Sequence, residues 1–146
     1  MATSPSDDRL AIIDLTIAYC WALDTRDWAA LDNVFTPDAY AELGLPVSHG
    51  IDAIKDRVSS ALGMLDDSQH MVTNQQVILD GDTATCRTYL HAQHIRRAAP
   101  GGPNFIIAGR YEDSLVRTSA GWRIAQRRLV VMWREGNIAV VRPDAD

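Results

Sequence analysis

The sequence predicts an α+β fold, because helical patterns occupy its first half and strand patterns its second half. Apolar residues first recur at helical spacing, and four runs rich in β-branched and aromatic residues then follow one another. Helices that precede a sheet, instead of alternating with its strands, favour α+β over a parallel α/β fold. With 146 residues, the chain is expected to form a single domain over 1–146.

The N-terminal segment predicts one long helix behind a loose leader. Residues 1–6 are rich in Ser, Thr and Pro, and two acidic residues then suit the positive end of a helix over about 9–23. Two apolar stripes predict that this helix is mostly buried. The stripes are Leu10, Ile13, Ile17 and Trp21, and Ile12, Leu15, Tyr19 and Leu23. Asp24 lies seven residues after Ile17, so its carboxylate is expected to point along the first stripe toward the interior.

The middle of the chain predicts two further helices and a short strand. A helix over 28–34 begins after Asp27, which is a suitable N-cap. A short strand is expected over 40–43. Gly50 then marks a turn into a helix over 51–65, where apolar residues again recur at helical spacing.

The remaining sequence predicts an antiparallel meander of four strands over 69–79, 83–98, 104–118 and 122–134. Asp80-Gly81-Asp82 is a hairpin signal, because glycine tolerates a positive φ. Ser119-Ala120-Gly121 plays a similar part, and a Pro-Gly-Gly-Pro segment at 100–103 joins the two middle strands.

Period-two alternation predicts a pocket lined partly by polar groups. In the second of these strands it puts one set of residues on the inner face: Ala84, Cys86, Thr88, Leu90, Ala92 and His94. The opposite face would carry Arg87, Tyr89, His91 and Gln93. In the first strand, the residues predicted to share a face are His70, Val72, Asn74, Gln76 and Ile78. Trp21, Trp28 and Leu90 are predicted to form pocket wall and to contact substrate.

Asp24 and His70 would satisfy each other inside such a pocket, since buried polar groups need partners. A carboxylate that accepts one imidazole N–H leaves the other nitrogen free as a base and stabilises the imidazolium. Structural alternatives remain open: Asp24 caps the second helix or pairs with Arg26, His70 has a structural role, and His94 is a buried structural histidine. Asn74 is predicted to bind substrate, with a strand amide satisfied by backbone as its alternative.

Charge and composition exclude several classes of function. A net charge of -5 argues against nucleic acid as a partner. The two cysteines, Cys20 and Cys86, are too few for a disulfide framework, and neither a signal peptide nor a membrane span is predicted. A cytoplasmic protein is therefore expected.

His91 and His94 would point to opposite faces of a strand, and no phosphate-binding glycine loop occurs, so neither a metal nor another cofactor is expected. Arg110, Arg127 and Arg128 are expected on a solvated or subunit-facing surface.

Six motifs along the chain form a characteristic pattern. They are Tyr19-Cys20-Trp21-Ala22-Leu23-Asp24-Thr25-Arg26-Asp27-Trp28, Phe35-Thr36-Pro37-Asp38-Ala39, Gln69-His70, Asp80-Gly81-Asp82-Thr83-Ala84, Gly109-Arg110-Tyr111 and Gly121-Trp122-Arg123-Ile124. Together they resemble the SnoaL-like family of the nuclear-transport-factor-2-like (NTF2-like) superfamily. The resemblance covers nearly the whole chain. It implies a cone-shaped fold, in which N-terminal helices pack on a strongly curved, mainly antiparallel sheet, and a homodimer or homotrimer.

The resemblance also implies roles for four residues. Asp24 and His70 are similar in position to the catalytic pair of scytalone dehydratase and of hexachlorocyclohexane dehydrochlorinase. Tyr19 resembles a tyrosine used by bile-acid 7α-dehydratase, and His94 resembles a second histidine of scytalone dehydratase.

A dehydratase-like lyase is therefore expected, acting without a cofactor on a small, mostly apolar polyketide, steroid or terpenoid. An isomerase or polyketide cyclase would use the same base. A binding module without catalysis is the alternative from another class.

Overall fold

The computed structural model describes residues 3–142 of the chain. Within this range, two α-helices precede most of a six-stranded sheet, and two short 3₁₀ helices complete the fold. In chain order the elements are α1 (Pro5–Asp24), a 3₁₀ helix (Trp28–Asn33), β1 (Phe35–Glu42), β2 (Ser48–His49), α2 (Ile51–Leu62), β3 (Asp67–Asp80), β4 (Thr83–Ile95), β5 (Asn104–Thr118), β6 (Gly121–Gly136) and a C-terminal 3₁₀ helix (Ile138–Val140).

The strands form one open, curled sheet in the order β2-β1-β6-β5-β4-β3. β3 to β6 make the expected antiparallel meander, and β1 extends the sheet by running parallel to β6. α1 packs against β3 and β6, while α2 packs against β1 and β2. The predicted α+β fold, with N-terminal helices on a mainly antiparallel sheet, is confirmed.

α1 begins four residues earlier than the sequence pattern predicted. Ser4 caps it, since its hydroxyl accepts from the Asp7 N–H at 3.2 Å and the Asp7 carboxylate accepts from the Ser4 N–H at 3.2 Å. This capping box satisfies donors that the first helical turn leaves free. The predicted loose leader over 1–6 is therefore wrong from residue 5 onward, and residues 1 and 2 lie outside the described residues.

Only one of the two apolar stripes of α1 faces the sheet. Ile12, Leu15, Tyr19 and Leu23 are buried. Leu10, Ile17 and Trp21 are exposed, so the prediction of a helix buried on both stripes is wrong. The sheet covers one side of α1, and within residues 3–142 no element covers the other. No helix in this range is long and apolar enough to cross a membrane.

The segment between α1 and α2 follows the sequence expectation in outline. Asp27 caps the helix that begins at Trp28, as expected, but that helix is a 3₁₀ helix. β1 starts at Phe35, earlier than the predicted strand over 40–43, and β2 was not predicted. α2 ends at Leu62, three residues before the predicted end at 65.

β-bulges change the face on which residues lie in two of the long strands. An extra residue in β3 at Asn74 interrupts the pairing between Thr73 and Gln76. β6 carries two more, near Ala125 and Met132. Each extra residue reverses the alternation beyond it. The inward side chains of β6 are consequently Trp122, Ile124, Arg127, Leu129, Val131 and Arg134.

Candidate active site

A cavity of about 260 Å³ lies between the helices and the inner face of the sheet. Most of its wall is apolar, from Leu23, Leu43, Val58, Ala61, Leu62, Leu90, Ala92, Phe105, Ile107, Leu129, Val131, Ile138 and Val141. Its polar side chains are Tyr19, Arg57, Ser60, His70, His94, Tyr111, Arg134 and Arg142. An apolar space with a few convergent polar groups is typical of a small-molecule site.

The end of α1 places Asp24 behind His70, which lines this cavity. Asp24 is the last helical residue, and the chain then turns through Thr25 and Arg26, whose φ of 59° is left-handed. The Arg26 N–H donates to the Leu23 carbonyl at 3.2 Å and the Asp27 N–H to the Ala22 carbonyl at 2.9 Å, as in a Schellman motif. The helix thus stops where the Asp24 side chain meets β3.

Asp24 holds His70 at two points. Its Oδ1 lies 2.6 Å from His70 Nδ1, and its Oδ2 accepts from the His70 backbone N–H at 2.8 Å. Contact with both the ring and the strand orients the imidazole relative to the cavity. The side chains are 17% exposed for Asp24 and 5% for His70, so this pair is largely shielded from water.

The protonation state of the pair follows from its hydrogen bonds. Burial raises the pKa of Asp24, but the hydrogen bonds from His70 and Ser68 outweigh it, so that the pKa is lowered. An ionised carboxylate only accepts, so His70 Nδ1 carries the proton. In the neutral imidazole, Nε2 is then the free acceptor, which is the state that a general base requires.

Further hydrogen bonds, from Ser68 and through it from Arg26, hold the Asp24 carboxylate in place. Ser68 Oγ donates to Asp24 Oδ1 at 2.8 Å and accepts from Arg26 Nη1 at 2.8 Å. Arg26 Nη1 also donates to the Leu23 carbonyl at 2.7 Å. Asp24 neither caps the following helix, which Asp27 does, nor pairs directly with Arg26. Both structural alternatives for Asp24 are therefore wrong.

His94 lies beside His70 as a buried, neutral histidine. Its ring lies 5.7 Å from the His70 ring, centroid to centroid, in an edge-to-face arrangement. Burial, reinforced by the neighbouring His70, lowers the pKa of His94 to about 4. His94 Nδ1 lies 3.1 Å from the Phe105 carbonyl, which only accepts, so Nδ1 bears the proton and Nε2 is an acceptor.

Tyr19, which precedes Asp24 by five residues on α1, lines the cavity wall as predicted. It is 2% exposed, and its ring packs edge-on against Tyr111 at 5.6 Å. Burial raises the pKa of Tyr19 to about 12. Its hydroxyl therefore stays protonated at neutral pH and is available as a hydrogen-bond donor.

Arg127 supports these two tyrosines from within the core. Its guanidinium lies 4.3 Å from the Tyr19 ring centroid and 4.0 Å from that of Tyr111. It also forms two hydrogen bonds to Asp113, of 2.8 and 2.7 Å, and both side chains are 0% exposed. The expectation of a surface position for Arg127 is wrong, because the bulge near Ala125 turns it inward.

Three of the predicted substrate-binding residues lie outside the cavity wall. Asn74 occupies the bulge of β3 with a φ of 57° and is exposed. Trp21 is 67% exposed on the outer side of α1, and Trp28 packs against the core. The prediction that these three line the pocket is wrong. Leu90 is buried and lines the cavity, as predicted.

Several wall residues were not predicted from the sequence. Tyr111 appeared only within a family-like motif, and Phe105, Arg57, Arg134 and Arg142 carried no signal of their own. Simple alternation that starts at Trp122 predicts the wrong inward residues for β6, because it does not include the two bulges.

Among residues 3–142, no cluster of three or more His, Cys, Asp or Glu side chains is arranged to hold a metal ion.

Residues 4–128 match the family model of the SnoaL-like domain, which is most of the chain. The chain belongs to the SnoaL-like family. The uncharacterized protein Rv2910c of Mycobacterium tuberculosis is 37% identical over 135 residues, which cover 87% of each protein. This SnoaL-like chain therefore matches that relative over most of both lengths.

Two solved structures share both the fold and a measurable part of the sequence of this SnoaL-like chain. The Kfla4162 protein from Kribbella flavida is 26% identical, with a TM-score of 0.87 over 95% of this chain and 99% of that one. A candidate aromatic ring hydroxylase from Novosphingobium aromaticivorans is 31% identical, with a TM-score of 0.84 over 95% and 99%.

More distant structures show the same NTF2-like fold. A candidate scytalone dehydratase from Novosphingobium aromaticivorans has a TM-score of 0.79 at 22% identity, covering 90% of this chain and 91% of that one. The hexachlorocyclohexane dehydrochlorinase LinA, type 2, has a TM-score of 0.77 at 19% identity, covering 87% and 86%. The resemblance recognised in the sequence is confirmed for the SnoaL-like family, and the fold is the NTF2-like α+β fold.

Proposed function

We propose that this SnoaL-like protein is a lyase of the dehydratase type that acts without a cofactor, with His70 as general base. One observation carries the proposal: His70 lines the cavity while its Nδ1 lies 2.6 Å from an ionised Asp24. A base held in this way contributes typically about 10²–10⁴-fold to a rate. The substrate is a small to medium, mostly apolar molecule, because the cavity wall is mainly aliphatic and aromatic.

In the proposed reaction, His70 Nε2 takes a proton from a carbon next to a carbonyl group. The C–H electron pair first moves toward the carbonyl as an enolate, and it then forms a carbon–carbon double bond as the C–O bond on the neighbouring carbon breaks. The departing oxygen takes the proton of the Tyr19 hydroxyl and leaves as water. Solvent then restores the proton of Tyr19 and removes the proton from His70, so the balance is substrate to alkene plus water.

Asp24 stabilises the imidazolium that forms during this step, since its carboxylate faces the ring nitrogen opposite the reacting one. His94 is unsuited to act as the acid, because it is neutral and its Nε2 has no proton to give. An acceptor role fits it better: orienting the substrate hydroxyl before that group leaves.

The experiment measures proton abstraction directly. The protein is incubated in D₂O with a panel of small β-hydroxy carbonyl compounds, and NMR follows deuterium at the α-carbon and the appearance of an alkene. His70→Gln should abolish both signals. His91→Gln, which makes the same change on the outer face of β4, should leave both intact.

Each outcome separates the candidate functions. Exchange with alkene formation supports the dehydratase, whereas exchange with a shifted double bond or a new ring would replace it by an isomerase or a cyclase. Saturable binding without exchange for any compound, or full exchange in His70→Gln, would overturn the enzyme proposal and leave a binding module.

A further inference from the structure

We infer that the ligand of this cavity is an amphipathic carboxylate, with its apolar body beside His70 and its anionic group among Arg57, Arg134 and Arg142. This inference rests on the proposed function for the reacting end of the substrate and adds the group at the other end.

The charge of the cavity wall differs from that of the chain. The chain has 19 acidic and 14 basic residues and a net charge of -5. The cavity wall nevertheless includes three arginines, and within residues 3–142 no Asp or Glu lines it. A wall of this composition attracts anions and repels cations, and arginine presents a planar fork that matches a carboxylate.

The three arginines have donors to spare within residues 3–142. Arg57 donates from Nε and Nη2 to the Leu43 carbonyl, at 3.3 and 2.9 Å, and its Nη1 is left over. Arg134 and Arg142 have no carboxylate partner within 4.0 Å among the described residues, whereas four other arginines of the surface have one: Arg97, Arg110, Arg117 and Arg128. Arg134 and Arg142 are exposed and also line the cavity, so their donors lie where the cavity opens to solvent, and Arg57 is half-buried.

The register of the sheet sets the distance between the strand positions of His70 and Arg134. His70 pairs with Ala92, Ala92 with Ile107, and Ile107 with Arg134, so the four residues form one row across β3 to β6. All four line the cavity. Three strand spacings amount to at most about 14 Å between the outer Cα atoms, and the curl of the sheet shortens the direct path. The two residues between them are apolar, which suits an apolar body lying along the row.

Calorimetric titration with three naphthalene probes tests the inference without any turnover. Naphthoate, naphthalenemethanol and naphthylmethylamine share the ring system and carry an anionic, a neutral and a cationic group. Naphthoate should bind most tightly, by about tenfold over the alcohol, and the amine most weakly. The preference for naphthoate should shrink as salt is raised, because these charges lie near solvent.

Substitutions of the arginines test whether they cause the preference for naphthoate. The double variant Arg134→Gln with Arg142→Gln should lose about tenfold in naphthoate affinity and keep its affinity for the alcohol. Arg128→Gln provides a matched control, since this arginine lies on the same strand as Arg134 and outside the cavity wall. Equal binding of acid and alcohol by the wild type, or an equal loss in Arg128→Gln, would overturn the inference.

His70→Gln distinguishes this inference from the proposed function. If that variant keeps the preference for naphthoate while the wild type shows no proton exchange with any compound, the carboxylate site stands and the enzyme proposal fails. If proton exchange depends on His70 but the probes bind without preference for the anion, the enzyme proposal stands and the inference fails.

Discussion

Asp24 contacts His70 through both carboxylate oxygens, one at the ring nitrogen at 2.6 Å and one at the backbone N–H at 2.8 Å. The end of α1 is therefore joined to β3 at His70, the residue proposed as the base. A small displacement of either element would change the direction of the imidazole. Ser68, which donates to the same carboxylate at 2.8 Å, reinforces this junction.

Asp24→Asn should lower the rate of proton abstraction by about 10²–10⁴-fold, because a neutral amide no longer stabilises the imidazolium. Nitrogen NMR should show the His70 proton on Nδ1 in the wild type and a mixture of tautomers in the variant. Asp27→Asn makes the same change three residues away, at an exposed helix cap, and should leave both readouts unchanged. A wild-type tautomer in Asp24→Asn would contradict the assigned role.

His94 should make the protein less stable as the pH falls. Its pKa is lowered from 6.5 to about 4 in the fold, so between these values the unfolded chain binds more protons. The stabilisation is complete above pH 6.5 and is lost toward pH 4. Between pH 7.5 and 4.5, the free energy of unfolding in urea should fall by about 2–3 kcal/mol more in the wild type than in His94→Gln.

His49→Gln is the control for this measurement, because the His49 side chain is exposed. Its pH dependence should follow that of the wild type. Parallel pH profiles for the wild type and His94→Gln would show that His94 titrates normally in the fold.

Asp113→Asn should destabilise the protein by about 3–5 kcal/mol, because it leaves the buried charge of Arg127 unpaired. Removing both partners, as in Asp113→Leu with Arg127→Met, should cost less than either single change. Urea unfolding of Asp113→Asn, Asp113→Leu, Arg127→Met and the double variant measures these differences. A loss below about 1 kcal/mol in Asp113→Asn would contradict the importance of this ion pair.

The outer face of the sheet is expected to join copies of the chain, as a homodimer or homotrimer. Tyr89, Met132 and Trp133 are 50%, 56% and 46% exposed on this face, beside His91. Trp133→Glu should dissociate the oligomer in size-exclusion chromatography with light scattering, because a charge in an apolar interface is costly. Trp21→Glu, on the outer side of α1, should leave it intact, and a monomeric wild type would contradict the prediction.

Local patterns in the sequence were sufficient for most of the fold. The four long strands lie close to their predicted bounds, because turn residues mark both ends of each run. β4 also has the predicted inner face, from Ala84 to His94, since no bulge interrupts the alternation there. Leu90 and His94 were consequently placed correctly, and Asp24 and His70 meet as predicted.

Alternation along one strand does not determine which side chains face inward where the pairing with a neighbouring strand contains a bulge. Asn74 was predicted to face inward from the alternation that begins at His70, but the bulge turns Gln75 and Val77 inward instead. Trp21 was predicted to line the pocket from its helical spacing, which shows that a stripe exists and not which stripe the sheet covers. Spacing along one element contains no information about its neighbour.

By itself, the sequence determined the order and type of the elements, because backbone propensity, capping and alternation act over a few residues. It also indicated which carboxylate and imidazole would need each other. Only the tertiary structure decided that Arg127 lies beneath Tyr19 and that Arg134 faces the cavity. Both depend on extra residues in β6, and a bulge exists only in relation to the partner strand against which it is counted.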